Sequence, residues 1–502
     1  RGSAGSSLVC YLMGITDVDP IEWNIPLARF LNPHRDDLPD VDIDIPHHKQ
    51  ELAMQRVFDK WPTQSARISN YVLYREKSAK REAAKRLGAK GRLPKDIDYA
   101  KLGVDEKEAK RIERKLMGKK RCISKHCGGV LVFDRALPKS LFRDDNLILL
   151  DKNEVEDLEH LKVDILANRG LSQLLEIDPH TRLDSYPKQD EAVSDLLCRG
   201  DVLGITQGES PTMKRLFRAL QPTGVEDCVF ASALVRPVAM EGRRKASWFR
   251  DWSEKGIQKN AIVYEDDAIH KIMKLIGINP YEADMYRRAF AKKNEEKMMQ
   301  FMAKLGDHPD KHDIYEQMQS LSGFGLCRAH AVNLGRLIWA LAYHKVHNPK
   351  EFWRACLKHC QGSYARWVYR NEAKRAGWDL RDLGFDNWIT EDPVESFKEH
   401  GAWNSPGFLP NMGLQNLFLD KFQFAGIVAN SRVFKSDSKN YIHFITLGVG
   451  EGRYVDLVVD RPVKYARNSV IVGEGQMWTK DNSNFLKVKR KNVKAMPIDQ
   501  YA

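Results

Sequence analysis

Several features that mark other classes of protein are missing from this sequence. Its 502 residues contain no signal peptide and no apolar run near the roughly 20 residues that a membrane-spanning helix needs. Eight cysteines are too few for a disulfide framework in so long a chain, so we expect reduced thiols in a cytoplasmic protein that makes no membrane contact. The pattern G-x-x-x-x-G-K-[ST] is also absent, which argues against P-loop ATPase chemistry.

The composition is that of a soluble globular protein with ample core material. Charged residues make up 29% of the chain and hydrophobic residues 42%. The length predicts several domains rather than one core. The chain begins with Arg inside a motif, which indicates a fragment, a processed product or a trimmed chain.

Positive charge is concentrated in one stretch. The net charge is +12, and between Arg75 and Lys125 there are 19 Lys and Arg against 8 Asp and Glu. The segments "SAKREAAKRLGAK" and "DEKEAKRIERKLMG" within it predict two helices with little apolar content. Such a basic stretch suits a polyanion such as nucleic acid. The alternative is a pair of solvated surface helices with mixed charges.

The stretch "LPDVDIDIPHH" alternates acids with β-branched residues and therefore predicts a strand. Alternation places Asp40, Asp42 and Asp44 on the same face, where three carboxylates together need cations. Mg²⁺ takes a few carboxylates plus substrate phosphates, so the strand indicates a metal site for phosphoryl chemistry. An EF-hand loop would need Gly where Ile45 stands. A plain acidic strand edge remains open as an alternative.

Two other segments carry predictions from pattern alone. The opening "RGSAGSS" offers backbone N–H groups and hydroxyls ahead of a helix predicted over residues 5–14, an arrangement that binds phosphate, although such loops are common. From Phe422 to about Lys494, short alternating segments with turn signals predict a five-stranded barrel of the OB type. Helices dominate from about 190 to 370, with a short strand expected at "NAIVY".

Longer stretches of the sequence resemble a known family. The stretch "RGSAGSSLVCYLMGITDVDP…LARFLNPHRDDLPDVDID" closely resembles the palm of C-family DNA polymerases, the α subunit of bacterial DNA polymerase III. "RKLMGKKRCISKHCGGVLV" and "LKVDILANRGL" are similar to the second half of that palm. "GDVLGITQGESPTMKRLFRALQP", "ALVRPVAMEG", "ADMYRRAFAKKN" and "SGFGLCRAHAVNLGRLIWALAYHKVHNPKEF" resemble the fingers. The matches run in order from residue 1 to about 355.

The resemblance implies a role for particular residues. It implies that Asp42, Asp44 and Asp164 are the catalytic acids that bind two Mg²⁺ ions, with Mn²⁺ as a substitute, and that Asp40 lies outside the metal pair. The residues implied to bind the incoming nucleotide are Ser3, Gly5, Ser6, Arg121, Lys125, His126, Arg236, Arg287, Arg288, Lys292 and Lys293. The residues expected along the DNA backbone are Lys77, Arg81, Lys85 and Arg86.

The family also implies an architecture. We expect a multidomain α+β protein with a nucleotidyltransferase-type palm on a mixed sheet, a helical thumb and fingers, and a C-terminal OB-like β-barrel. The expected domains are the palm at 1–64 and 120–175, a basic thumb insertion at 65–119, fingers at 176–370, a linker or reduced late-fingers segment at 371–418, and the OB-like domain at 419–502.

The implied function is template-directed extension of a primed DNA by deoxynucleoside triphosphates in a bacterial cell, with a phage-encoded protein as an alternative origin. A sliding clamp is a further expected partner through Leu414–Leu419, although a hydrophobic packing segment also explains these residues. We expect a member without the family's N-terminal PHP domain, and Asp266 and Asp267 stand where the resemblance implies finger glutamines. These departures keep two rivals open: a non-catalytic nucleic-acid-binding paralogue and a template-independent nucleotidyltransferase.

Overall fold

The computed structural model divides the chain into two compact units. One unit is Arg35–Ala167, and the other is Arg1–His34 together with Asn168–Ala502. Helices and two sheets are both present, which confirms the predicted α+β class. The structure describes residues 2–34, 41–91, 93–94, 97–144, 146–235, 262–319, 325–359, 362–385, 413–418, 421–435, 441–449, 454–463, 465, 469–480 and 483–496.

The regular elements are numbered in chain order. The helices are α1 (Leu8–Leu12), α2 (Gln50–Lys60), α3 (Glu76–Arg86), α4 (Glu106–Leu116), α5 (Lys152–Asp157), α6 (Arg169–Ile177), α7 (Glu191–Cys198), α8 (Pro211–Leu220), α9 (Val225–Leu234), α10 (Glu265–Ile276), α11 (Pro280–Lys292), α12 (Glu295–Leu305), α13 (Lys311–Gln319), α14 (Arg328–His347), α15 (Pro349–His359) and α16 (Arg366–Arg375). The strands are β1 (Val41–Pro46), β2 (Ser65–Leu73), β3 (Lys120–Val132), β4 (Phe142–Asp144), β5 (Leu147–Ile148), β6 (Lys162–Asn168), β7 (Gly413–Phe418), β8 (Lys421–Lys435), β9 (Tyr441–Gly448), β10 (Tyr454–Val459), β11 (Val470–Lys480), β12 (Ser483–Val488) and β13 (Val493–Met496).

A six-stranded sheet forms the centre of the smaller unit. Its strand order is β1-β6-β3-β2-β5-β4, and it is mixed because β2 pairs antiparallel with β3 but parallel with β5. On one face, Met54 and Phe58 of α2 are buried against Val130 of β3 and Ile165 of β6. Burying this apolar face fixes which residues of each strand can point to the other face, since side chains alternate along a strand.

The predicted basic helices are confirmed as α3 and α4, which pack on each other around a small core of their own. Ala83 and Ala84 of α3 meet Ala109 of α4, and Tyr99 from the connection lies between them. The Tyr99 hydroxyl donates to Glu113 at 2.9 Å. Because small alanines form the shared interface, the long cationic side chains lie on the outer surface of the pair.

The larger unit is built around α14, which is buried along most of its length. Trp339 of α14 and Trp353 of α15 are among the largest fully buried side chains, and both belong to one extensive hydrophobic cluster. Helix α9 crosses α14 at Gly335. A Cβ atom there would lie 2.5 Å from both the Cα and the N of Val229, so only glycine permits this approach of the two backbones.

Gly335→Ala should therefore destabilise the larger unit. The added methyl group meets backbone rather than a movable side chain, and overpacking of this kind costs about 2 kcal/mol or more in the free energy of unfolding. Urea unfolding monitored by tryptophan fluorescence measures the change. The control is Asn333→Ala on the same helix, because the Asn333 amide donates to the Ala329 carbonyl of its own helix. Equal stability of the two variants would contradict the close packing at Gly335.

Helices α10 to α13 enclose a second cluster of buried residues, and Ile262–Tyr264, the described part of the strand expected just before α10, form no strand. That expectation was wrong. The backbone N–H groups of Val263 and Tyr264 both donate to the Asp267 carboxylate at 2.9 Å. An aspartate that accepts from these N–H groups stabilises the start of a helix. The apolar residues before α10 therefore form a capping turn instead of a strand.

The predicted C-terminal OB barrel is confirmed. Strands β8, β9, β10, β12 and β11 form a closed ring, because β11 pairs with β8 as well as with β12, and β10 and β12 are parallel. Alternate residues such as Phe424, Leu457 and Leu486 fill its interior. The barrel shares core residues with the helices. A Cβ on Gly448 would lie only 2.5 Å from Cη2 of Trp367 in α16.

The segment expected to bind a sliding clamp forms an edge of the barrel sheet. Leu414 pairs with Phe424 as part of β7, while Leu419 lies outside the described residues. One edge of β7 is therefore hydrogen-bonded to β8, and the clamp contact stays a prediction. None of the helices in the described part of the chain combines the length and the hydropathy that a membrane span requires.

Candidate active site

Three acids predicted to bind metal lie on two neighbouring strands, β1 and β6. Ile45 of β1 and Ile165 of β6 both pack in the cluster against α2, so they mark the same face of the sheet. Asp44 and Asp164 each precede one of these isoleucines, and Asp42 lies two residues before Asp44. Alternation therefore puts all three carboxylates on the opposite face. Asp40 lies outside the described residues.

The two carboxylate oxygens of Asp164 have different surroundings. Oδ2 lies 3.0 Å from the ammonium of Lys162, which is two residues earlier on the same strand. Oδ1 is buried, and within the described part of the chain it accepts no hydrogen bond. Nδ1 of His126 lies 3.6 Å from Oδ1. A buried carboxylate oxygen without a donor is costly unless it has a ligand.

His126 is neutral in this arrangement. Its Nδ1 accepts hydrogen bonds from the backbone N–H groups of Gly129 at 2.6 Å and Gly128 at 3.3 Å, so the proton of the ring belongs on Nε2. Burial lowers the pKa of His126, and the nearby Asp164 carboxylate opposes this only in part. The contact between Nδ1 and Asp164 is therefore not an ion pair, and Oδ1 receives no proton from it.

Glycine is needed beneath the imidazole. Gly129 pairs directly with Asp164 across β3 and β6. A Cβ on Gly129 would lie 2.7 Å from Nδ1 of His126 and 2.8 Å from Cδ1 of Ile68. The Gly128-Gly129 pair thus lets His126 fold back on its own strand, beside the acids. The two glycines are visible in the sequence as "KHCGGV", but the prediction named only the basic residues Lys125 and His126.

These residues fit a hard divalent cation. Mg²⁺ and Mn²⁺ prefer oxygen ligands, and the acidic face offers Asp42, Asp44 and the buried Oδ1 of Asp164. These oxygen ligands do not need a cysteine thiolate or a histidine nitrogen beside them to bind such a cation. The donor chemistry therefore agrees with the magnesium site expected from the sequence, whereas the number of ions stays a prediction.

Much of the predicted DNA-binding surface lines one cleft of about 270 Å³ in the same unit. The cleft is lined by Lys77, Ser78, Arg81, Glu82, Lys85 and Arg121. Arg86 lies outside it and pairs with Glu82 at 3.0 Å. Four cations against one carboxylate make the cleft strongly electropositive, which suits a phosphate backbone. Lys125 is exposed farther along β3, opposite Ser69 of β2.

The Gly/Ser loop belongs to the larger unit and is mostly buried. Residues Gly2–Ser6 form a short 3₁₀-helix instead of the start of one longer helix, and α1 follows as five residues only. A Cβ on Gly5 would lie 2.7 Å from Cβ of Ala329, so packing alone requires glycine there. Ser6 is 2% exposed. The side chain of Ser3 lies outside the described residues, and triphosphate binding by the loop stays a prediction.

The predicted finger cations have unequal environments. Arg287 is 4% exposed, and its guanidinium contacts Asp284 at 2.7 Å and Glu265 at 3.4 Å. Its charge is thus matched inside the protein. Lys292 and Lys293 are exposed at the end of α11, where Lys293 has φ of 56° and ends the helix. Arg288 is half-buried beside them, and Arg236 lies outside the described residues. Phosphate binding by any of these residues stays a prediction.

The acidic pair Asp266 and Asp267 has a structural use. Asp266 is fully buried and accepts the backbone N–H of Arg328 at 2.5 Å, while Asp267 accepts from the Arg328 side chain at 2.6 Å. The pair therefore joins the start of α10 to the start of α14. Sequence reasoning flagged these acids as a departure and missed this contact, because Arg328 is about 60 residues away.

Comparison with known families agrees with the geometry. A family model described as the bacterial DNA polymerase III alpha NTPase domain matches residues 1–167. The model for the bacterial DNA polymerase III alpha subunit finger domain matches residues 168–312, directly after it. Together the two cover more than half of the chain. The chain belongs to the C family of DNA polymerases.

Curated relatives in this family carry the name error-prone DNA polymerase. One from Anaeromyxobacter dehalogenans strain 2CP-1 is 27% identical over 460 residues, which cover 77% of this chain and 40% of the relative. One from Sinorhizobium medicae is 29% identical over 453 residues, covering 77% and 41%. One from Methylococcus capsulatus is 27% identical over 470 residues, covering 81% and 45%. The C-family chain therefore spans less than half the length of these relatives.

Proposed function

We propose that this chain is the catalytic core of a template-directed DNA polymerase that adds deoxynucleotides to the 3′-hydroxyl of a primer. The observation that carries the proposal is the acidic face of the smaller unit, where Asp42, Asp44 and the buried Oδ1 of Asp164 offer oxygen ligands on neighbouring strands. The family membership of the chain supports the same reaction.

In this proposal the three carboxylates hold two Mg²⁺ ions. When bound, such a pair lowers the pKa of an attacking hydroxyl and stabilises the charge on the leaving oxygen. The side chains themselves supply negative charge and orientation. Lys162 holds one oxygen of Asp164, and His126 keeps its Nδ1 turned to backbone donors, so neither removes Oδ1 from the site.

The basic cleft holds the duplex in the same proposal. Lysine and arginine side chains contact phosphates without reading sequence, which is what a polymerase needs in order to move along any template. Arg121 extends the cleft onto β3, the strand that also carries His126. The pair α3 and α4 is thus a thumb, the six-stranded sheet is the palm, and the helices of the larger unit are fingers.

Other parts of the proposal rest on the family alone. They are binding of the triphosphate by the Gly/Ser loop and the exposed finger lysines, a sliding clamp as partner, and action in the bacterial cytoplasm. The barrel at the C-terminus is an OB fold, a class that binds single-stranded nucleic acid in many proteins.

A primer-extension assay tests the function directly. The full chain, given Mg²⁺ and all four deoxynucleotides, should extend a primer on a template by complementary nucleotides only, and EDTA should abolish the extension. A primer without template is the matched control. Extension of the unpaired primer would favour a template-independent transferase. DNA binding without any extension would favour a non-catalytic paralogue.

A further inference from the structure

A lysine that the predicted site did not include is in direct contact with one of its acids. Lys162 and Asp164 are two residues apart on β6 and therefore share a face. The Lys162 side chain is only 10% exposed, and its ammonium lies 3.0 Å from Oδ2 of Asp164. Withdrawing an ammonium so far from water is unfavourable unless a carboxylate pairs with it, so this contact is a specific one.

The contact makes the two oxygens of Asp164 inequivalent. Oδ2 accepts from Lys162, whereas Oδ1 accepts no hydrogen bond within the described part of the chain. The ring of His126 lies near Oδ1 at 3.6 Å but cannot donate from Nδ1, since that atom already accepts from Gly129. One oxygen is thus neutralised by the protein, and the other is buried and open to a cation.

We propose that Lys162 is a positioning residue that keeps Asp164 a single-oxygen metal ligand and keeps divalent-cation binding weak until a nucleotide binds. The inference rests on the proposed metal site. Its physical basis is the ammonium charge, which opposes a second cation nearby and occupies the oxygen that would permit two-oxygen ligation. Tight binding then requires extra oxygens, which the phosphates of the nucleotide provide.

The test measures the metal alone as well as turnover. In Lys162→Met, which keeps the length of the side chain but removes its charge, Mn²⁺ should bind the nucleotide-free full chain about tenfold more tightly, because a repelling charge is gone. Electron paramagnetic resonance of free Mn²⁺ measures this affinity. Extension at saturating Mg²⁺ should fall tenfold or more, mainly in kcat, because Asp164 is no longer held. Lys162→Arg should keep the Mn²⁺ affinity near that of the wild type.

A nearby lysine provides the matched control. Lys152 carries the same charge in the same unit, but its side chain is 54% exposed and pairs with Glu156 at 3.5 Å. Lys152→Met should change Mn²⁺ affinity less than twofold and leave extension unchanged, since solvent screens its charge. Lys162→Gln serves as a second variant if the methionine variant does not fold, and thermal unfolding of each variant checks this.

The outcomes separate the inference from the proposed function. Unchanged or weaker Mn²⁺ binding in folded Lys162→Met or Lys162→Gln would overturn the role of Lys162, as would equal effects in Lys152→Met. Asp164→Asn tests the metal site itself and should weaken Mn²⁺ binding. If Asp164→Asn bound Mn²⁺ as well as the wild type, the metal site would be wrong, whatever Lys162 does.

Discussion

Asp44→Asn should reduce primer extension by roughly a thousandfold or more, because loss of one metal ligand removes several kcal/mol of stabilisation of the transition-state charge. Asp42→Asn and Asp164→Asn should have effects of the same size. The amide has nearly the shape of the carboxylate, so the fold and its thermal stability should be retained. Single-turnover extension with saturating Mg²⁺ and primed DNA measures the chemical step.

Two controls accompany this experiment. Asp59→Asn removes a carboxylate from the outer side of α2, where Asp59 accepts from Gln55, and should extend primers like the wild type. Asp40→Asn should be milder than Asp44→Asn, because the family resemblance puts Asp40 outside the metal pair. Full activity of a folded Asp44→Asn protein would show that the acidic face is not the metal site.

Replacing Lys77, Arg81 and Lys85 together by Gln should weaken binding of primed DNA and reduce its dependence on salt. Each phosphate contact releases condensed counterions, so log affinity falls with log salt by about 0.9 per contact, and three lost contacts flatten the slope by up to about three units. Fluorescence anisotropy with labelled primed DNA at several salt concentrations measures the slope. Incorporation at saturating DNA should change far less, since these residues line the cleft and not the acidic face.

A second triple variant isolates the cleft from general charge. Lys107, Arg114 and Lys115 are exposed on α4 and do not line the cleft, so their replacement by Gln removes the same charge elsewhere on the same helical pair. This variant should alter the slope by less than one unit. An unchanged slope and affinity in the cleft variant would mean that α3 and α4 are a solvated pair without a role in DNA binding.

Local pattern was sufficient wherever neighbours in sequence decide the structure. Alternation of acidic and apolar residues in "DVDIDI" predicted a strand with its acids on one face. Alternation from Phe422 onward likewise predicted the strands of the barrel. Helical periodicity and composition were enough for α3 and α4. In each case the repeat of side-chain directions, two residues for a strand and 3.6 for a helix, acts within a few residues of chain.

Local pattern did not reveal contacts with distant residues. The apolar stretch before α10 was expected to be a strand, but its backbone N–H groups donate to the Asp267 carboxylate. The resemblance implies that Arg287 binds the nucleotide, which stays a prediction, but it gives no sign that Asp284 and Glu265 pair with this guanidinium inside the larger unit. The glycine of the opening loop, Gly5, is explained by its contact with Ala329, more than 300 residues later.

The sequence by itself therefore determined most of the elements and the family, and it predicted which acids bind metal, because these follow from local periodicity and ordered motifs. Only the tertiary structure decided that Asp164 shares a face of the sheet with Asp42 and Asp44, and which side chains surround it. The pairing of β6 beside β1 put Asp164 with Asp44, and it brought Lys162 to one carboxylate oxygen and His126 to the other. Contacts between strands more than a hundred residues apart depend on burial of the opposite face against α2, which no local pattern specifies.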